Sequence, residues 1–290
     1  MRLGYLKKLG KKHILKRIFI ERVTEPIHLN LMTLFVLVFG NYRTKILFDV
    51  ILRQNHAYSI LNATDTALQN GIRKITIIEF GVAAGGGLMN ICKICRKLSS
   101  IYPITYQIFG FDTGAGMPEP VDYRDHPELY KKGDFRMDMS RLTKELPKNC
   151  ELIIGEVKDT IPDFLKTHSL TDAPIGFISF DLDYYSSTKE ALSVLLANPA
   201  CYLPCFPVYL DDIALWSHNS YCGELLAIHE FNQEQPFRKI ERNRFLAYNR
   251  VFKHAEWLEH IFFVHILDAP KRKEIRKDEA NPDVLANPYF

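Results

Sequence analysis

Four aspartates stand where two apolar runs of the chain end. "FISFDLDYY" (residues 177–185) delivers Asp181 and Asp183, and "VYLDDI" (residues 208–213) delivers Asp211 and Asp212. Both runs read as buried strands, and a carboxylate at the mouth of such a strand needs compensation, because burial and like charge both disfavour its ionised form. In adjacent strands, ~4.8 Å apart, all four acids converge on one edge. A hard divalent cation such as Mg²⁺ resolves the conflict, since it binds carboxylates together with water and substrate oxygen. The competing reading is that some of these acids cap the helices that follow, as Asp183 does if it starts the helix in "YYSSTKEAL". Bound at this edge, a metal acidifies a coordinated hydroxyl, and a neighbouring carboxylate takes the proton.

A second constellation lies upstream. "EFGVAAGGG" carries Glu79, Gly81, Gly85, Gly86 and Gly87 between an apolar run and a helical pattern. In an open α/β sheet this is the crevice at the carboxyl ends of the strands, where ligands bind. The glycines allow a tight turn and let a ligand lie on the start of the helix. The spacing departs from the dinucleotide pattern G-x-G-x-x-G, because Ala83 takes the second glycine position. Glu79 has no duty beside a pyrophosphate, but it does opposite a cationic ligand such as S-adenosylmethionine (SAM). Asp112 closes the next run, "TYQIFGFDT", where an acid can accept hydrogen bonds from both ribose hydroxyls. Together the two constellations predict methyl transfer from a sulfonium to an oxygen nucleophile held in line with it.

The elements that must position these residues follow from the alternation of apolar runs and helical patterns. Strands are predicted at residues 75–82, 105–113, 151–157, 175–182, 205–212 and 260–267, and helices at 86–100, 186–198 and 223–234. Ser187 and Glu190 have the spacing of a capping box for the middle helix. Strands this uniformly apolar, separated by helices, predict a mostly parallel α/β sheet covered on both faces. Residues 1–70 read as a helical extension or cap, 71–270 as the sheet domain and 271–290 as a charged tail. Residues 114–150 are longer than a simple connection needs and read as a lid or substrate-binding loop, or else as a surface insertion.

Composition sets the remaining bounds. A net charge of +3 over 290 residues gives no argument for a nucleic-acid partner. The opening is uneven, with Arg2, Lys7, Lys8, Lys11, Lys12, Lys16, Arg17 and Arg22 against Glu21. It reads as a basic amphipathic helix, either solvated on its own domain or docked on an anionic membrane surface in peripheral contact, or on an acidic partner. The apolar run at 29–40 is too short for a bilayer that needs ~20 residues, and is expected to be a buried helix of a cytoplasmic protein. Cys92 and Cys95 share one helical stripe and read as core, and the six thiols as reduced.

"IIEFGVAAGGGL", "IFGFDTGAGMP", "IIGEVKDTIPDFL", "FISFDLDYYSSTKEAL" and "VYLDDI…GELLAIHEF" occur in the order and spacing of the macrocin O-methyltransferase family, which this chain resembles over residues 75–235. The resemblance implies a Rossmann-like class I methyltransferase sheet and a SAM- and Mg²⁺-dependent enzyme that methylates a hydroxyl of a small molecule, such as a sugar or glycan. It implies SAM contacts at Glu79, Gly81, Gly85 and Gly86, the ribose at Asp112, and the adenine near residues 155–157, which include Glu156. It also implies a metal held by Asp211 and Asp212 with Asp183 or Asp181, one of that pair doubling as general base. A homo-oligomer is compatible with this reading. The loop "DTGAGMPEP" departs from the family's "DSFEGLP" by losing an aromatic and an acid at the edge of the acceptor pocket. Trp216, His218 and Tyr221 are candidates for acceptor contact or for ordinary loop packing.

Two rival classes remain. A glycosyltransferase would use Asp181–Asp183 as a D-x-D site for Mn²⁺ and a nucleotide diphosphate, leaving Glu79 and Asp211–Asp212 without a role. A non-catalytic binding module of methyltransferase-like fold would suit the basic opening and the altered loop.

Overall fold

β1 (Lys74–Phe80), β2 (Thr105–Asp112), β4 (Ile175–Phe180) and β5 (Cys205–Leu210) are buried along most of their length, which is why their sequences show no polar alternation. In the computed structural model, which describes residues 21–272, they form the centre of a seven-stranded sheet ordered β3-β2-β1-β4-β5-β7-β6. The basic opening up to residue 20 and the tail from residue 273 lie outside the described residues, and so do most of the predicted basic helix and nearly all of the tail. β1 pairs in parallel with β2 on one side and β4 on the other, so the winding reverses between β1 and β4 and opens a crevice there. β3 (Cys150–Ile154) and β5 extend the parallel sheet, while β7 (Ile261–Ile266) runs antiparallel to both β5 and β6 (Arg238–Arg242). The predicted α/β class, mostly parallel with helices, is the observed one. β6 has no counterpart among the predicted strands: "RKIER" is a short, charged edge strand whose pairing with β7 is not written in its own hydropathy.

α3 (Gln54–Gln69) packs on β4 and β5, α4 (Gly86–Ser99) packs on α3 and β2, and α5 (Met139–Glu145) and α6 (Val157–Thr167) precede and follow β3. Cys92 and Cys95 lie in the core on the stripe of α4 with Leu88, Ile91 and Leu98, and all six cysteines are free. Towards the N-terminus lie α1 (Ile27–Phe39) and α2 (Tyr42–Leu47), the latter capped by the Asn41 side chain on the Thr44 amide. These helices are fastened to the segment before β7. Arg250 donates to the carbonyls of Ile46 and Leu47 and pairs with Asp49 at 2.6 Å, and Glu25 accepts from the amides of Lys253 and His254.

Two expectations are corrected here. The apolar run at 29–40 is helical, but it is not buried: only Val36 of α1 is, and the remaining large apolar side chains point mostly to solvent. The helix lies outside the sheet's covering layer and touches the body along one narrow edge. The capping box of Ser187 and Glu190 does not form either. The helix, α7 (Tyr185–Ala191), has its N-cap at Tyr184, three residues before Ser187, and the Tyr184 side chain does not cap it. Instead the fully buried Asp125, from the 114–150 excursion, accepts from the Ser186 amide at 2.8 Å and its hydroxyl at 2.9 Å. A partner 61 residues away serves the helix start that the local sequence was expected to serve.

Candidate active site

β4 and β5 end at Phe180 and Leu210, so each delivers its first aspartate one residue past the sheet. The ladder continues that far: the Asp181 amide donates to the Phe80 carbonyl and the Asp211 amide to the Phe180 carbonyl. Asp183 then takes a left-handed conformation, φ +59°, which turns the chain from strand into α7. Its amide donates to Asp212 Oδ2 at 3.2 Å, locking the two strand ends together.

The result is a three-carboxylate cluster. Ligand oxygens of Asp181, Asp183 and Asp212 lie within 4.8 Å of one another, and among the described residues no other group of three or more His, Cys, Asp or Glu side chains is so placed. Asp211 stands beside the cluster rather than in it, its Oδ1 accepting from the Tyr209 hydroxyl at 2.5 Å. Below lies Glu224, fully buried on α8 (Gly223–Glu234), whose oxygens accept from the amides of Asp212 and Leu182. Above, the Tyr130 hydroxyl of the excursion reaches Asp212 Oδ1 at 3.3 Å.

The electrostatics of this arrangement are unfavourable as it stands. Burial, then Glu224 and Asp183, push the Asp212 carboxyl up to about 11. Burial, then Asp211 and Asp183, hold Asp181 well above the usual carboxylate range. Asp183 and Glu224 are also raised, burial being the first cause for each. So many carboxyls cannot all ionise together without a cation between them. Three oxygen donors that a positive charge would stabilise suit Mg²⁺ or a similar hard ion.

The glycine loop abuts this cluster. Gly81, φ +82°, has no room for a side chain, because a Cβ would overlap the Asp181 carbonyl oxygen; glycine is what lets β1 and β4 ends meet. Gly87 has the same constraint against the Glu79 carboxylate. Gly85, the residue before α4, packs against Leu142, while Gly86 opens toward the Arg53 guanidinium. Glu79 is buried, its Oε2 has no hydrogen-bond partner, and burial and then Asp181 raise its pKa while Arg53 lowers it. An orphaned buried acid beside the glycine loop suits the cationic end of a ligand such as SAM. Asp112 holds the loop itself: Oδ2 accepts from the Val82 and Ala83 amides at 2.9 and 2.8 Å, and Oδ1 from the Gly114 amide at 2.6 Å.

One cavity of about 380 Å³ brings these parts together. Gly81, Asp112, Glu156, Asp181, Asp183, Asp211 and Asp212 line it; Glu79, Gly85 and Gly86 lie outside its lining. Met117, Tyr130 and Phe135 of the excursion complete the wall, so this segment forms part of the site. Asp211 and Asp212 also face a second cavity of about 390 Å³ that includes His218, Trp257 and His260. Trp216 is 95% exposed and Tyr221 also stands in solvent.

Sequence reasoning missed Tyr130, Glu224 and Arg53. Tyr130 lay in the aromatic and charged excursion, which was a usable signal. Glu224 sat in plain view in "GELLAIHEF", but its burial depends on how α8 meets the strand ends. Arg53 left no local signal at all.

No family model matches the chain, and no curated protein does. Solved structures are similar to it at low identity. CalS11, a calicheamicin methyltransferase, is 20% identical over 70% of this chain and 83% of its own, with a TM-score of 0.47. The O-methyltransferase NovP is 15% identical over 73% of this chain and 79% of its own, with a TM-score of 0.49. The MycE methyltransferase of the mycinamycin biosynthetic pathway, solved with Mg, SAH and mycinamycin VI, is 14% identical over 91% of this chain and 63% of its own, with a TM-score of 0.39. The sheet order, rather than these likenesses, carries the fold.

Proposed function

We propose that the chain is a SAM-dependent, divalent-metal-dependent O-methyltransferase acting on a hydroxyl of a small molecule, with a sugar or glycan end as the favoured acceptor. The observation that carries this reading is the meeting, in one cavity, of the Asp181–Asp183–Asp212 cluster with Gly81 and Asp112 of the glycine-loop side. In this reading Asp181, Asp183 and Asp212 hold the cation, which supplies Lewis acidity toward the acceptor hydroxyl. Glu79 faces the positive end of SAM, and Arg53, beside Gly86, is placed for its carboxylate. Asp112 and Glu156 lie at the ribose and adenine ends. Asp181 or Asp183, one of the pair doubling as cation ligand and general base, takes the acceptor's proton. Tyr130 and Phe135 cover the cavity and exclude water from the methyl donor.

The glycosyltransferase reading uses only Asp181 and Asp183 and leaves the buried Glu79 unexplained. The binding-module reading leaves four acids held together for nothing. Calorimetric titration of SAM and of UDP-sugars, with Mg²⁺ and then with EDTA, separates the three. Micromolar SAM binding without UDP-sugar binding is the expected result, and no SAM binding in either condition would sink the proposal. A screen of hydroxylated acceptors with labelled SAM then identifies the substrate.

A further inference from the structure

α1 is inverted relative to an ordinary surface helix. Its sequence, "IHLNLMTLFVLVF", contains no Asp, Glu, Lys or Arg. At ~100° per residue, Leu34, Ile27, Val38, Leu31, Phe35 and Met32 fall on one arc of roughly 160°. All six are exposed, Leu34, Phe35 and Val38 by 64–66%. Of its polar side chains, Asn30 donates to the Arg22 carbonyl and Thr33 to the helix's own Leu29 carbonyl, while His28 is exposed among the apolar residues of the arc. Val36 alone is buried, against Phe48 and Phe252. A largely apolar, uncharged face of this kind marks an interaction site.

We infer that α1 lies in the plane of an anionic lipid surface, with its apolar arc in the headgroup–acyl boundary. Two observations select this occupant. Eight cations, Arg2 to Arg22, precede the helix against two acids, Glu21 and Glu25, of which Glu25 is buried and committed to the amides of Lys253 and His254, so the sequence leading into the apolar face is net basic and complements negatively charged headgroups. A second copy of the chain is the poorer fit, because a two-fold contact through α1, which carries no acid, offers nothing to the basic opening of either chain. At 13 residues α1 is about 20 Å long. Among the described residues no helix is long and apolar enough to cross a membrane, so the contact lies along the surface. An apolar face joined to a basic segment supplies the two signals that stable peripheral binding requires. The Val36–Phe48–Phe252 contact and the Arg250 bonds to α2 fix the helix to the body, so the lipid face is presented rigidly.

The test is flotation of the full chain with vesicles of phosphatidylcholine alone and of phosphatidylcholine with phosphatidylserine in equal parts. The protein should float with the anionic vesicles, weakly with the neutral ones, and less as salt is added. The double variant Leu34→Asn/Val38→Asn should lower partition by about tenfold or more. Its circular dichroism and thermal midpoint should stay unchanged, because both side chains face solvent. Phe35→Ser gives a second, independent loss. Wild type that fails to float with anionic vesicles overturns the inference, and so do variants that float as well as wild type. A dimer in light scattering that the double variant dissolves, with no flotation, would assign the face to a second copy instead. None of these outcomes depends on the methyltransferase reading.

Discussion

Asp212 carries a sharp electrostatic conflict: burial, three neighbouring aspartates and Glu224 all oppose its charge. Asp212→Asn should therefore leave the thermal midpoint in EDTA equal to or above that of wild type, yet abolish the rise that Mg²⁺ produces in wild type. Asp211→Asn, with its oxygen committed to Tyr209, should keep most of that rise and spare SAM affinity. Equal loss in both variants would show that the ligand set is wrongly drawn. His56 gives a pH signature at the same scale. Wholly buried near Phe177 and Tyr209, it is pulled down to about 3, first by burial and then by Arg53. Above pH 6.5 both folded and unfolded chains hold it neutral; as pH falls from 6.5 toward 3 only the unfolded chain takes up the proton, so stability drops. Urea unfolding across this window should show His56→Phe losing about 1.4 kcal/mol less per pH unit than wild type. Parallel slopes would refute that assignment.

At the scale of elements, Asp125 and Arg250 hold pieces together that are far apart in sequence. Asp125 ties the excursion to the start of α7 through the Val121 and Ser186 amides and the Ser186 hydroxyl. Asp125→Ala should cost about 1–3 kcal/mol and raise hydrogen exchange across residues 117–135, close to the candidate metal cluster. Unaltered exchange there would mean that other contacts fasten the excursion. Arg250→Ala leaves the Asp49 carboxylate without its guanidinium inside the protein, and a loss of about 3–5 kcal/mol in denaturant unfolding is expected. The same scale explains the two failed expectations. Ser187 and Glu190 satisfy a local capping rule, yet Asp125 arrives from outside and moves the helix start. The run at 29–40 has the composition of a core helix, but burial depends on what lies above it, and the sheet's covering layer is complete without it.

For the whole molecule, the sheet order sets a gradient of protection. β1 and β4 are flanked by strands on both sides, while β3 and β6 each have one free edge. Hydrogen exchange should be slowest in β1 and β4 and faster in β3 and β6; uniform rates would contradict this order. Much of this was legible in the chain. Long apolar runs with no alternation must be buried on both faces, which fixes a parallel sheet between helices, and an acid after such a run must lie at its mouth. Periodicity and charge alone therefore determined the α/β class, six of the seven strands, and the edge on which Glu79, Asp112 and the four aspartates would gather. The tertiary structure decided what depends on distance between remote segments: that Asp212, not Asp211, joins Asp181 and Asp183, that Tyr130, Glu224 and Arg53 surround them, and that α1 turns its apolar face outward. Hydropathy records whether a residue prefers water, whereas coordination and covering depend on which other segment the fold brings within a few ångströms.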